Sequence, residues 1–314
     1  MGVIFGVDVG GTTVKIGMFD KEDSLKYKCE IKTDTSDKGS FILRDICKKL
    51  QDILQENSLT PNDCDGIGIG LPGPVTNDGR ILGCVNLGWG IFNIEEKLSQ
   101  MFYGVKVRAG NDANLAALGE KLAGGGRGHE NVLMITLGTG VGGGVIIDGK
   151  IVTGTNGAAG EIGHMPVNFH ETDVCSCGKK GCLEQYASAT GIVRLTKKYI
   201  GEYKESPLYG YKINGKEITA KDVMDLAKAK DELSVKVIDE AALYLGMALA
   251  ASASVINPDC IVIGGGVSKA GDFLIDKVEK SFMEYAFVPC RNVIFRQAEL
   301  GNDGGMYGGA GLIK

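Results

Sequence analysis

The sequence has no basic surplus: 34 Lys and Arg stand against 39 Asp and Glu, a net charge of −5. A surface that tracks a nucleic-acid backbone is normally basic, so this balance speaks against one. It leaves room for a local phosphate ligand, which backbone N–H groups and Mg²⁺ can hold. Nor does any apolar run reach the ~20 residues of a membrane span. The longest, around 241–256, is rich in Ala, Ser and Gly and reads as a buried helix. The chain enters a strand pattern at Val3 to Val9, with no basic and apolar export signal before it. Its nine cysteines, an odd number, stand mostly singly in apolar runs (Cys47, Cys64, Cys260). They are therefore expected to be reduced core thiols of a cytoplasmic protein. Two common nucleotide motifs are also missing. Lys150, Lys179 and Lys216 follow a glycine, but none precedes Ser or Thr, which excludes a P-loop. The first glycine turn leads into a strand, where the dinucleotide fingerprint requires a helix.

Proline is scarce at 7 residues, whereas glycine reaches 48 and gathers at the ends of apolar runs. Tight turns, or a close approach of backbone to a ligand, are what such placement serves. At 314 residues, 44% apolar and 23% charged, the chain is an ordinary globular one with room for two domains. VIFGVDVGG and TTVKIGMFD read as two strands joined by a glycine turn, followed by a strand at 26–32. Apolar residues at 42, 43, 46, 50, 53 and 54 trace one helical face. The strand–glycine-turn–strand pattern returns about 128 positions later as NVLMITLGTG and VGGGVIIDGK. Helices over 190–256, the strand CIVIGGG, a helix near 273–287, the strand NVIFRQ and a glycine-rich helix at 304–312 complete the reading. Two α/β halves with a cleft between them are expected, divided as 1–115 with 301–314 and 116–300.

Three glycine turns carry nucleotide chemistry. In the first, Asp8 precedes Gly10, Gly11 and Thr12, with Lys15 beyond. Its N–H groups and hydroxyl suit phosphate, and Asp8 suits Mg²⁺. A plain hairpin turn is the competing reading. The second, Gly138-Thr139-Gly140, offers the same chemistry from the other half, and Gly264-Gly265-Gly266 ends a strand where a base or ribose can lie flat. At a strand-to-helix junction, Asn111-Asp112 is open to two readings. Asp112 is either a helix N-cap or a general base that takes the proton of an attacking hydroxyl, with Asn111 binding a neighbouring one. Finally, His164 with Cys175, Cys177 and Cys182 forms a Cys₃His set suited to a closed, structural zinc site. The alternative is a loop with chance thiols. Zinc would fix the segment carrying Glu161, His164 and Glu184, a group suited to binding hydroxyls.

With DVGGTTVK, LPGPV, GNDAN, TLGTGVGGG, GEIGH, CSCGKKGCLEQYASATG and IVIGGGVS in family order, the whole chain resembles the ROK family of bacterial sugar kinases, especially its glucokinase branch. The resemblance implies a two-domain actin-like fold with a ribonuclease-H-like core in each half. It implies ATP with Mg²⁺, structural Zn²⁺ on His164, Cys175, Cys177 and Cys182, and commonly a homodimer. Asp112 would be the catalytic base. Asn111, Glu161, His164 and Glu184 would hold the sugar, with Asn86 as a lid contact. The expected reaction is phosphorylation of a hexose 6-hydroxyl, glucose leading. Met165-Pro166 is similar to the fructokinase branch and keeps fructose open. With the catalytic strand at Val3, the DNA-binding domain of the family's repressors is not expected.

Overall fold

The computed structural model describes residues 2–314. It opens with the strands β1 (Val3–Val9), β2 (Thr13–Phe19) and β3 (Leu25–Lys32). A single turn α1 (Ser36–Gly39), the helix α2 (Ile42–Glu56) and the strand β4 (Cys64–Leu71) come next. The two-residue strands β5 (Arg80–Ile81) and β6 (Phe92–Asn93) lead to α3 (Ile94–Met101), β7 (Val107–Asn111) and α4 (Asp112–Ala123). The second half runs β8 (Val132–Leu137), β9 (Val141–Ile147), β10 (Lys150–Ile151), α5 (Glu184–Ala187), α6 (Ala189–Tyr199), α7 (Pro207–Ile213), α8 (Ala220–Lys228) and α9 (Glu232–Ile256). It ends with β11 (Cys260–Gly264), α10 (Asp272–Tyr285), β12 (Ile294–Gln297) and α11 (Gly304–Gly311).

The two large sheets have the orders β3-β2-β1-β4-β7 and β10-β9-β8-β11-β12. Each pairs an antiparallel meander with parallel strands reached by crossovers. β1 runs antiparallel to β2 and parallel to β4, which is parallel to β7. β8 runs parallel to β11, which is parallel to β12. The repeat read from the sequence is thus a repeat of topology, strand for strand. The central parallel strands bury both faces, which is why they read as continuous apolar runs.

By its internal contacts the chain divides into two compact units. The first holds the described residues up to Gly128, with Gly144–Gly160 and Leu300–Lys314. In it α2 turns Ile42, Ile46, Leu50 and Ile53 into a core with Phe5, Val7, Ile16 and Ile67. α11 sits directly on sheet backbone: a Cβ at Gly68 would lie 1.6 Å from the Gly309 carbonyl oxygen, and one at Gly6 1.9 Å from that of Met306. Glycine is therefore required on the sheet side of this contact. The buried Glu120 of α4 accepts the Gly125 and Leu300 N–H groups, each at 2.8 Å, and so ties down the segment that leads into α11.

The second unit comprises His129–Gly143 and Glu161–Glu299. Its spine is α9, whose buried face alternates Leu, Val and Ile with Ala and Gly. The small residues let α10 approach closely, with Ser281 donating to the Leu243 carbonyl at 3.0 Å. The apolar run at 241–256 is the C-terminal part of this helix. Among the described residues no helix is long and apolar enough to cross a membrane. The expected helix at 273–287 stops at Tyr285, because Ala286 is extended, and a short 3-10 turn follows at Val288–Asn292.

Candidate functional site

In the first unit the glycine turn joins β1 to β2 with Asp8 opposite Lys15 in the register. The Gly10 N–H donates to the Thr13 carbonyl at 3.0 Å, and the Thr33 hydroxyl donates to the Gly10 carbonyl at 2.7 Å. The Lys15 ammonium donates to the Asn302 carbonyl at 2.6 Å. Asp8 lies beneath the start of α11, where a Cβ on Gly305 would come within 2.7 Å of its carboxyl carbon. Burial first, and then the charge of Asp112, push the Asp8 carboxyl up to about 6 against the pull of Lys15. Two acidic groups held this near each other in a partly buried place are a common cation-binding arrangement.

Asp112 opens α4, yet the helix is capped by its neighbour. The Asn111 side-chain oxygen accepts the Ala113 N–H at 3.0 Å and the Asn114 N–H at 3.2 Å, while its amide donates to the Gly73 carbonyl at 3.2 Å. The N-cap reading of Asp112 is corrected accordingly. Asn111 has the extended backbone an N-cap needs (φ −66°, ψ 143°). One Asp112 oxygen still accepts the N–H of Ala113 at 2.8 Å, which steadies the carboxylate at the positive end of the helix. Asn86 is exposed in the short turn Val85–Leu87. That turn adjoins Cys84, whose thiol is pushed up to about 11, first by burial and then by the charge of Asp112.

In the second unit the turns Gly138–Gly140 and Gly264–Gly266 end neighbouring parallel strands, with Gly264 opposite Thr136. Beside them lies a cavity of about 440 Å³, lined by Gly138, Thr139 and Gly266 together with Thr219, Met224 and Lys228 of the α8 segment. The reading of the residues did not place this segment at the site. Its one local signal is the capping box of Thr219 with Asp222, which marks a helix start and says nothing of where the helix docks. A Cβ added at Gly11, Gly138 or Gly266 would meet no protein atom within 4 Å. Packing does not demand these glycines, so they keep open the space in front of their backbone. That suits a phosphate chain and a sugar–base unit.

Glu161 is exposed at the start of the turn Ile162–His164. The ligand atoms of His164, Cys175, Cys177 and Cys182 all lie within 4.8 Å of one another. Cys177 Sγ and Cys182 Sγ are 3.6 Å apart, and Cys175 Sγ is 3.9 Å from His164 Nδ1. A disulfide would need about 2.05 Å. An edge near 3.8 Å is what tetrahedral thiolates at ~2.3 Å from zinc would give. The donor set therefore fits a four-coordinate zinc ion, with His164 turning Nδ1 toward it. The loop is held from behind. Tyr186 donates to Glu171 at 2.5 Å, and Arg194 meets Glu171 and Asp173 at 2.9 Å each. Burial raises the Glu171 carboxyl, but hydrogen bonds from Tyr186, the Asp173 N–H and Arg194 bring it down to about 2.

The model of the ROK family matches residues 4–314. The chain belongs to the ROK family. It is 46% identical over 98% of its length to a glucokinase of Halalkalibacterium halodurans, covering 94% of that protein. To a glucokinase of Thermotoga maritima it is 32% identical over 99% of its length and 97% of the relative. Among solved structures, the ROK glucokinase of Streptomyces griseus in complex with glucose and AMPPNP shares 33% identity and a TM-score of 0.77, with 99% of each chain covered. The fold is therefore the two-domain α/β fold of ROK sugar kinases.

Proposed function

We propose that this ROK protein is a glucokinase that transfers the γ-phosphoryl group of ATP to the 6-hydroxyl of glucose. The observation that carries the reading is Asp112. Its neighbour Asn111 does the capping, and the Asp112 carboxylate, steadied by the Ala113 N–H at the helix start, would accept the proton of the attacking hydroxyl. Asn111, Glu161, His164 and Glu184 would hold the sugar's hydroxyls, with Asn86 as a lid contact. Gly10, Gly11, Thr12 and Lys15 of the first turn and Gly138, Thr139 and Gly140 of the second would position the phosphates. Gly264, Gly265 and Gly266 would face the nucleoside. Asp8 would hold the Mg²⁺ that accompanies ATP and neutralises phosphate oxygens. His164, Cys175, Cys177 and Cys182 would hold zinc as a structural clamp with no open coordination position. Family membership also supports reading the protein as a cytoplasmic homodimer.

A coupled assay of ADP release tests the proposal, with Mg-ATP against glucose, fructose, mannose, N-acetylglucosamine and N-acetylmannosamine. A clear glucose preference is expected. Preference for fructose would assign the weight to Met165-Pro166 instead. Sugar binding without turnover on any of the five would overturn the kinase reading.

A further inference from the structure

The carboxylate of Glu184 faces in two directions. Its Oε2 accepts the Val141 N–H at 3.0 Å, at the end of the second glycine turn. Its Oε1 accepts the Ser176 hydroxyl at 3.0 Å, from the cysteine loop. The first contact is close: a Cβ at Gly140 would lie 2.2 Å from Oε2, so a larger residue there would push the carboxylate from its present place. The residues just after Glu184 hold the rest of the turn. Ala189 donates its N–H to the Gly138 carbonyl at 2.8 Å, and the Thr190 hydroxyl donates to the Thr139 carbonyl at 2.7 Å. Thr190 is itself 2.9 Å from the Ser188 hydroxyl, which caps α6 by accepting the Gly191 N–H. The whole turn from Gly138 to Val141 thus hangs from one short segment, 184–190, and that segment begins with a carboxylate.

We infer that Glu184 and Thr190 position the nucleotide-binding turn, and that Glu184 couples sugar binding to nucleotide binding. This rests on the kinase reading above, in which Glu184 meets the sugar and the turn meets the phosphates. A carboxylate has about four acceptor sites, so sugar hydroxyls and the Val141 N–H can share it. A sugar that fixes the Glu184 rotamer removes the freedom the side chain would otherwise lose on holding the turn. The turn is then ordered at less cost, and the nucleotide binds an already ordered turn. Coupling of this kind is reciprocal and commonly amounts to roughly fivefold or more in affinity.

Calorimetric titration with AMPPNP, with and without saturating glucose, tests the inference alongside hydrogen exchange at the Val141 amide in the nucleotide-free wild type. In the wild type, glucose should tighten AMPPNP several-fold and slow exchange at Val141. Without sugar, Glu184→Ala should bind AMPPNP several-fold more weakly than the wild type. Thr190→Val should do the same while leaving nucleotide-free glucose affinity unchanged, and Thr190→Ser should restore nucleotide affinity. If Glu184→Ala binds AMPPNP as the wild type does, or if glucose leaves Val141 exchange unchanged, the coupling role is overturned. A wild type that binds no glucose would overturn the sugar reading separately. The sugar-free comparison would still decide whether Glu184 holds the turn.

Discussion

Asp112 and Asp8 divide the proposed chemistry between two carboxylates with different surroundings. Asp112→Asn should keep the Asn111 cap and bind glucose, while kcat falls by roughly 10²–10⁴; steady-state kinetics beside glucose titration checks the split. Asp8 behaves differently because its carboxyl is raised to about 6 from an ordinary 3.8. A raised acid is stabilising in its protonated form. That contribution is complete below the ordinary value and is lost as pH rises through about 6. Asp8→Asn should therefore raise the Tm of the ligand-free protein at pH 8. It should also abolish Mg²⁺-dependent turnover, because the amide cannot supply the charge. In the wild type, kcat/KM should fall as pH drops through about 6. Both aspartates were legible in the sequence from their place at strand ends. What the sequence left open was whether Asp112 is a cap or a base; Asn111 was not read as the cap, although Asn and Asp rank almost equally there. The choice rests on Asn111 being extended and anchored to Gly73, a contact 38 residues away.

At the scale of elements, the cysteine loop was legible because ligand type and spacing are local. The network behind it was not, since Glu171, Tyr186 and Arg194 lie on three separate segments. Cys177→Ser should lower zinc content measured by elemental analysis, and should lower Tm and glucose affinity together. The Glu171 carboxyl is depressed to about 2 from an ordinary 4.5. A depressed acid contributes stability above its ordinary value and loses it as pH falls toward the folded one. The wild type should therefore lose stability between pH about 4.5 and about 2 more steeply than Glu171→Gln, as chemical denaturation across that range would show. The place of α8 at the cavity escaped the sequence reading for a related reason. The helix meets Gly138 and Gly266 at the cavity only through tertiary packing, from positions some 80 and 45 residues distant.

At the scale of the whole chain, duplication was visible as two strand–glycine-turn–strand units because each opens with the same local pattern. The matching strand order needed the structure, since parallel neighbours such as β8 and β11 lie more than a hundred residues apart. Each of the two units has its own buried core, so ligand-free protein is not expected to melt as one two-state body. Differential scanning calorimetry should give a calorimetric enthalpy larger than the van't Hoff value. Chelating the proposed zinc should shift only the part of the trace that belongs to the second unit.

α11 and Leu300 belong to the first unit, although residues 161–299 of the second unit precede them in the chain. On the ribosome, residues 129–299 are all available before α11 exists, so the second unit can close first. Until α11 is made, the first sheet waits with the backbone at Gly6 and Gly68 uncovered. A chain cut after Glu299 would therefore leave unfinished the unit that was translated first.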